Sequence, residues 1–502
     1  MMNNNKLAKA MAIDANATET ENGAYAINTT LDPVLDLFAS IGSLRSRTED
    51  EIIEIFEKAY VCNPLLTIKC VFYARDIRGG LGERRAFRIL LKHIAEEYPD
   101  IVRLNMSLID DYGRYDDLYE LIDTPVENEM WTFVKERLIV DIDEMKKGHP
   151  VTLLAKWLKT ADASSARTRM LGIYTAKKLG YSVYEYKRIL RSLRHYLKIV
   201  ETKMTANEWD NIDYSEVPSR AAMIYRNAFA KHDENRYNQY IEDVKSGKEH
   251  IHAATLYPYD ILEQYANPFV RHLTLCRHVD DTIEELWKAL PWYVDEKSNM
   301  LVMADVSGSM NGRPMATSVG LAIYFAERNH GFFENMFMTF SRKPSVVAIE
   351  GKTLLDKINA VFDAGVGYDT NIEAAFERLL YLATRYAVPQ ADMPSAIIII
   401  SDMEFNAISD DSMGETNMLF YDDMKERYEE CGYTIPHIVF WNVAARHSVF
   451  HATSDTAGVS MISGSSISSF KFLIDAIKGT TPTELMLQVL NSERYMPVAI
   501  PE

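Results

Sequence analysis

The chain has 502 residues, 47% hydrophobic and 25% charged, with a net charge of −18. That composition excludes wholesale disorder, leaves room for two or three domains, and argues against a surface that coats nucleic acid indiscriminately. Four scattered cysteines (Cys62, Cys70, Cys276, Cys431) form no C-x-x-C pair, which argues against a disulfide framework or a thiolate zinc site and fits a reducing cytosol. The N-terminus lacks a signal-peptide core, and no stretch approaches the roughly 18 apolar residues of a membrane span. The expectation is a soluble cytoplasmic protein with no membrane partner.

Residues 1–29 read as a polar, flexible N-terminus. From residue 30 to 295 the periodicity is helical. Thr48 and Glu51 stand at capping-box spacing ahead of an amphipathic run, and Asn63-Pro64 reads as an N-cap followed by a first-turn proline. "RGGLG" at 78–82 interrupts the pattern, which resumes until Pro99. Farther on, Gly180 stops one helix, and the pair Ser182/Glu185 opens another, with Val183, Tyr186, Ile189, Leu190, Leu193, Leu197 and Val200 in its apolar stripe. Lys187, Arg191, Arg194 and Lys198 follow one residue behind, about 100° around the helix, and are expected to point outward. Repeated helix pairs suggest an α-helical repeat scaffold.

After residue 296 strands alternate with helices. The expected strands are 299–305, 333–340, 344–350, 396–402, 437–443 and 458–463. Helices are expected near 315–329, 354–363, 371–387, 417–431 and 466–477. This alternation implies an open, mostly parallel, doubly wound α/β sheet over residues 296–480. Residues 481–502 form a final helix and an apolar tail that packs back on the helical part.

Ligands of such sheets bind beyond the carboxyl ends of the strands. Three segments place oxygen side chains there: Asp305, Ser307 and Ser309 in "DVSGSM", Thr370 in "GVGYDTN", and Asp402 in "SDMEF". Two carboxylates and three hydroxyls without a His or Cys cluster make a hard, all-oxygen site. That favours Mg²⁺, with Mn²⁺ or Ca²⁺ as alternatives, over Zn²⁺. The simpler alternative for "DVSGSM" alone is a capped turn.

D-x-S-x-S, a threonine loop and an aspartate after a buried strand, in that order, resemble the metal-ion-dependent adhesion site of a von Willebrand factor A domain. The resemblance implies that Asp305, Ser307, Ser309, Thr370 and Asp402 hold the metal, and that an acidic group of a protein partner fills its open position. A helical region leading into such a domain resembles the TROVE-module family, to which the Ro ribonucleoprotein autoantigen belongs, in which a ring of HEAT-like helices closed by an A domain binds small structured RNAs and RNA ends. "FYARDIRGGLGERRAF", "DDYGRYDDLYEL", "LAKWLK" and "VPSRAAMIYRNAF" more specifically resemble an uncharacterised family of this architecture from bacteria, phages and plants. The resemblance spans about residues 30–480 and implies an RNA-binding, non-enzymatic ribonucleoprotein component.

The charge pattern bears on that expectation. Residues 1–300 hold 40 Lys+Arg against 47 Asp+Glu, residues 301–502 hold 14 against 25, and residues 151–203 hold 12 against three. The acidic balance departs from the basic surface expected of an RNA-binding ring, but the local basic band points to a confined anion-binding surface. Its candidates are Lys156, Lys159, Arg167, Arg169, Lys177, Lys178, Arg191 and Arg194; a solvated helix face is the alternative. Around "RGGLG", Arg75, Arg78, Arg84, Arg85 and Arg88 fit a helix-pair turn whose arginines pair with Asp76 and Glu83, or else a phosphate cradle. "GKT" at 351–353 lacks the first glycine of a nucleotide-binding loop, since Val346 stands there. His250 and His252 lack a third ligand nearby. Two further functions stay open: a metal-dependent protein-interaction scaffold without RNA, and a hydrolase using a metal-bound water at Asp305 and Asp402.

Overall fold

Thr48 and Ser182 make the reciprocal bonds that their spacing requires. In the computed structural model, which describes residues 6–265, 278–294, 299–340, 343–364, 370–406, 419–469 and 479–501, Glu51 N donates to Thr48 Oγ1 at 3.3 Å and Thr48 N to the Glu51 carboxylate at 2.8 Å. The helix Glu49–Cys62 follows. Asn63 caps the next helix, Pro64–Arg75, through Leu66 N at 3.1 Å. Ser182 and Glu185 exchange the same pair of bonds at the head of Val183–Tyr196. Each cap satisfies backbone donors that the first helical turn leaves free. Among the described residues, everything with regular structure between Pro33 and Lys288 is helical.

The hairpin β1 (Ala17–Glu19) and β2 (Tyr25–Ile27) follows the short helix Lys6–Asp14. The described N-terminal residues are therefore ordered, not a loose polar extension. Gly23 and Ile27 form bridges to Asn406 and Phe450, and Thr20 Oγ1 donates to Phe405 O at 2.6 Å.

The second half holds the six expected strands: β3 (Met300–Ala304), β4 (Met336–Thr339), β5 (Val346–Ala348), β6 (Ala396–Ser401), β7 (His437–Asn442) and β8 (Val459–Ser463). They lie in the order β5-β4-β3-β6-β7-β8, all parallel except β5 against β4. Helices Arg313–Arg328, Leu354–Asp363, Ile372–Tyr386 and Phe420–Glu430 connect them; most of the helix expected near 466–477 lies outside the described residues. Side chains alternate across the sheet, as strand geometry demands. Leu301, Met303, Ile397 and Ile399 enter one core, whereas Val302, Ala304, Ile398 and Ile400 enter a larger one continuous with the helical half.

The helical path begins and ends on the α/β half. At its start, Pro33–Ser40 packs on β8 and on the last helix, Pro482–Leu490. The approach is close enough that a Cβ on Gly42 would meet Gly464 N at 2.8 Å. At its end, Pro258–Leu262 packs against Arg313–Arg328. The C-terminal tail adds a third clasp: Arg494 pairs with Asp76 at 2.9 Å, and Asn105 Nδ2 donates to Ala499 O at 2.7 Å. The helices thus arch away from one α/β support and return to it.

Burial also builds in acid sensitivity. His451 is 3% exposed, packs 4.6 Å from the Phe405 ring centroid, and bonds through Nε2 to Met403 O at 2.9 Å. Burial pushes its pKa down to about 4. Below pH 6.5 the unfolded chain gains a proton that folded His451 refuses, so stability falls as pH drops from 6.5 to 4. His451→Gln is expected to lose about 3 kcal/mol less than the wild type over that interval, as read by urea denaturation at each pH.

Candidate nucleic-acid interface and candidate metal centre

The order in which the chain adds strands switches sides between the parallel neighbours β3 and β6, and both expected aspartates leave the sheet there. Asp305 follows β3 and Asp402 follows β6, at 0% and 1% exposure. One Asp305 oxygen accepts from Ser307 N at 2.9 Å, the other from Ser401 Oγ at 2.7 Å. Ser307 Oγ and Ser309 Oγ lie 3.0 Å apart. Burial first, then the Asp402 charge, pushes the Asp305 carboxyl up to about 6. Two buried carboxylates beside two convergent hydroxyls match the donor chemistry of a hard cation.

Two features depart from the expected set. Thr370 Oγ1 is directed at Asn406 Oδ1 (3.0 Å) and Glu404 O (3.2 Å), on the segment after Asp402. Asp402 already holds a cation, since Arg446 Nη2 lies 2.9 Å from its Oδ2, while Nη1 pairs with Glu21 at 2.7 Å. Beside this pair, Glu21, Glu404 and His447 bring ligand atoms within 4.8 Å of one another. His250 and His252 meet edge-on, 4.9 Å between ring centroids, and join no metal-binding cluster among the described residues.

The larger feature is a cavity of about 1770 Å³ under the helical arch. Residues from Arg45 to Tyr259 of the helical half line it, and Arg313 of the α/β half adds to its wall. Thirteen of the lining residues are arginine or lysine and five are carboxylates. In a chain of net charge −18, that concentration of one sign in a concave space focuses the field on an anionic ligand.

The wall is built element by element. The turn after Pro64–Arg75 contributes Arg78, Arg84 and Arg85. Its glycines serve packing: a Cβ on Gly82, whose φ is +63°, would collide with the Tyr257 hydroxyl. Helix Val183–Tyr196 buries Tyr186, Leu190 and Leu193 on the helices Glu127–Lys147 and Leu154–Trp157. Its neighbouring stripe, Lys187, Arg191 and Arg194, consequently faces the cavity. These residues point away from the core, as expected, but into a concave space. Aromatic faces lie among the cations: Arg114 sits 4.5 Å over Trp157, and Arg313 4.8 Å over Tyr259.

Comparison with known proteins now places the chain. The family model described as "Domain of unknown function (DUF2828)" matches residues 20–164 and 151–300, together more than half of the chain. The chain belongs to that family. A second model, "Domain of unknown function (DUF7788)", matches residues 299–494. An uncharacterized protein of Acanthamoeba polyphaga mimivirus is 26% identical, over 97% of this chain and 89% of its own length. Among solved structures, the Ro (RSR) protein of Deinococcus radiodurans is similar with 12% identity and a TM-score of 0.35, covering 90% of this chain and 92% of that one.

Of the eight basic-band residues, Lys156, Arg191 and Arg194 line the cavity of this family member. The other five lie elsewhere. Lys159 sits 5.3 Å over the Tyr119 ring, Lys178 pairs with Glu127 at 2.8 Å, and Arg169 donates to Ala163 O at 2.8 Å. Arg167 and Lys177 are exposed outside the cavity. Even Arg194 spends its guanidinium on Ala155 O and Leu158 O, both at 2.8 Å. The turn arginines also depart from expectation, because Asp76 pairs with Arg494 and Glu83 with Arg45. Sequence reasoning did not assign Arg114, Arg137, Arg220 or Arg313 to the wall, nor Arg446 to Asp402. Arg446 alone carried a local signal, since it follows β7, whose end adjoins the Asp402 edge.

Proposed function

We propose that this protein binds RNA, holding a single-stranded segment in the basic cavity, and acts as a binding component rather than an enzyme. The observation that carries the reading is the thirteen cations against five carboxylates around one concave cavity of an acidic protein. Trp157, Tyr225 and Tyr257 add aromatic surface to the same wall, with Arg114 over Trp157 and Tyr257 stacked on Tyr259, and aromatic surface beside cations suits unpaired bases better than a closed duplex. Arg114, Lys156 and Arg191 make no ion pair among the described residues, so their charge is free for phosphate.

Filter binding across a salt series tests it. Affinity for a single-stranded RNA is expected to fall steeply with salt, with a log–log slope of about −0.7 per phosphate contact. An acidic polypeptide control that binds equally well would overturn the reading. The absorbance ratio of the purified protein at 260 and 280 nm, with extraction of any nucleic acid, separates it from a protein-interaction scaffold that carries no RNA.

The oxygen donors at the sheet edge support a second component of the reading. Asp305, Ser307 and Ser309, with Asp402 behind them and Thr370 alongside, would hold Mg²⁺ (Mn²⁺ or Ca²⁺ as alternatives) and present it to an acidic protein ligand. Asp305→Ala is expected to abolish binding of Mn²⁺ measured by electron paramagnetic resonance. Arg446→Ala is expected to strengthen it, because the guanidinium competes for Asp402. Unchanged binding in Asp305→Ala would remove this site from the account.

A further inference from the structure

The turn between β1 and β2 brings Glu21 to two residues of the α/β half, Glu404 beyond β6 and His447 beyond β7. His447 Nδ1 lies 3.0 Å from Glu404 Oε1 and 3.4 Å from Glu21 Oε1. The other oxygens are already taken. Glu404 Oε2 accepts from Glu21 N at 2.7 Å, and Glu21 Oε2 pairs with Arg446 Nη1 at 2.7 Å. Each carboxylate is thereby turned so that its second oxygen faces the imidazole. The backbone is pinned on both sides of the contact, because Thr20 Oγ1 donates to Phe405 O and Asn22 Nδ2 to Glu404 O, each at 2.6 Å. Partners that hold the far side of a ligand in this way orient the donors of metal sites.

These donors suit one ion better than one proton. Glu404 is 1% exposed, and its Oε1 meets no donor other than His447 Nδ1 among the described residues. A carboxylate oxygen so buried requires a donor or a positive charge. Nδ1 carries at most one proton, which it can give to only one of the two oxygens it faces. Arg446 offsets little of the charge, since its guanidinium is divided between Glu21 and Asp402. Donors about 2.1 Å from a common ion, at octahedral to tetrahedral angles, stand about 3.0–3.4 Å apart. Nδ1 stands at those separations from both oxygens. One imidazole and two carboxylates make a mixed nitrogen and oxygen set, which suits Zn²⁺ better than Mg²⁺. The set shares no residue with Asp305, Ser307, Ser309, Thr370 and Asp402.

We infer that Glu21, Glu404 and His447 form a Zn²⁺ site that ties the N-terminal hairpin to the α/β half, independent of RNA binding and of the all-oxygen centre at Asp305. The full-length protein, freed of any affinity tag, is dialysed to equilibrium against a Zn²⁺ series in excess Mg²⁺, and bound zinc is read by atomic absorption. One tightly held Zn²⁺ per chain is expected. Glu21→Gln and His447→Ala change exposed side chains, and circular dichroism is expected to show both folded. Each is expected to weaken Zn²⁺ binding about 100-fold, the upper end of what losing even a supporting partner costs a metal site. Asp305→Ala and His250→Ala are expected to keep the wild-type affinity. A wild type that holds no Zn²⁺ under these conditions overturns the site, as does undiminished binding in His447→Ala. Loss of the ion in Asp305→Ala or in His250→Ala also overturns it, because the zinc would then lie at the sheet edge or at the His250–His252 pair.

Discussion

Reversing two cavity charges, Arg84→Glu with Arg191→Glu, is expected to lower RNA affinity about 100-fold at 50 mM salt and to leave the fold intact. Both residues are exposed, line the cavity and form no ion pair among the described residues. Each lost phosphate contact removes about 0.7 from the magnitude of the log–log salt slope, so the double variant should flatten it by about 1.4. Affinity loss with an unchanged slope would place these residues outside the contact surface. Arg167→Glu with Lys177→Glu is the discriminating comparison. Those two belong to the basic band but lie outside the cavity, so their reversal is expected to change affinity less than tenfold, through the long-range field alone. Equal losses from the two pairs would mean that the outer band, not the cavity, binds RNA.

That comparison follows from what the sequence could and could not reveal. Local signals were reliable. The reciprocal bonds at Thr48/Glu51 and Ser182/Glu185 involve residues three apart, and the "AIIIIS" run became a strand buried at every position. The meeting of Asp305 and Asp402 at one edge was also readable, because parallel strands deliver their ends together and the residues that follow them inherit the site. The cavity was not readable in the same way. Its wall comes from many separate elements, and the curvature that brings them round is fixed by long-range clasps such as Arg494 on Asp76, 418 positions apart.

Charge counted along the chain also mixes the cavity with an acidic exterior. The basic band consequently included residues that face solvent and omitted Arg114, Arg220 and Arg313. Pairing failed as a local inference for the same reason. Glu83 neighbours Arg84 and Arg85 in sequence, yet the Arg45 guanidinium from 38 residues away takes it. Of the turn arginines, Arg84 is left without an ion pair among the described residues. At the sheet edge, the position of Arg446 after β7 was legible, but its pairing with Asp402 was not, because that depends on β7 lying beside β6, which element order alone does not state.

The largest stability effect is expected at Asp117. The carboxylate is fully buried, and its two oxygens receive Arg75 Nε and Arg88 Nε, each at 2.7 Å, with Arg114 N at 3.1 Å. Asp117→Asn keeps the volume but turns one acceptor into a donor facing a guanidinium and removes the counter-charge of two arginines. Truncating one partner of a buried ionic network leaves uncompensated charge that water cannot reach, so the expected cost is about 3–5 kcal/mol. It should appear as a lower urea midpoint with an unchanged m-value. Glu54→Gln breaks the pair with Lys58, whose side chains are both about two-thirds exposed, and is expected to cost less than about 1 kcal/mol. If the two variants cost the same, the Arg75–Asp117–Arg88 network does not support the cavity floor.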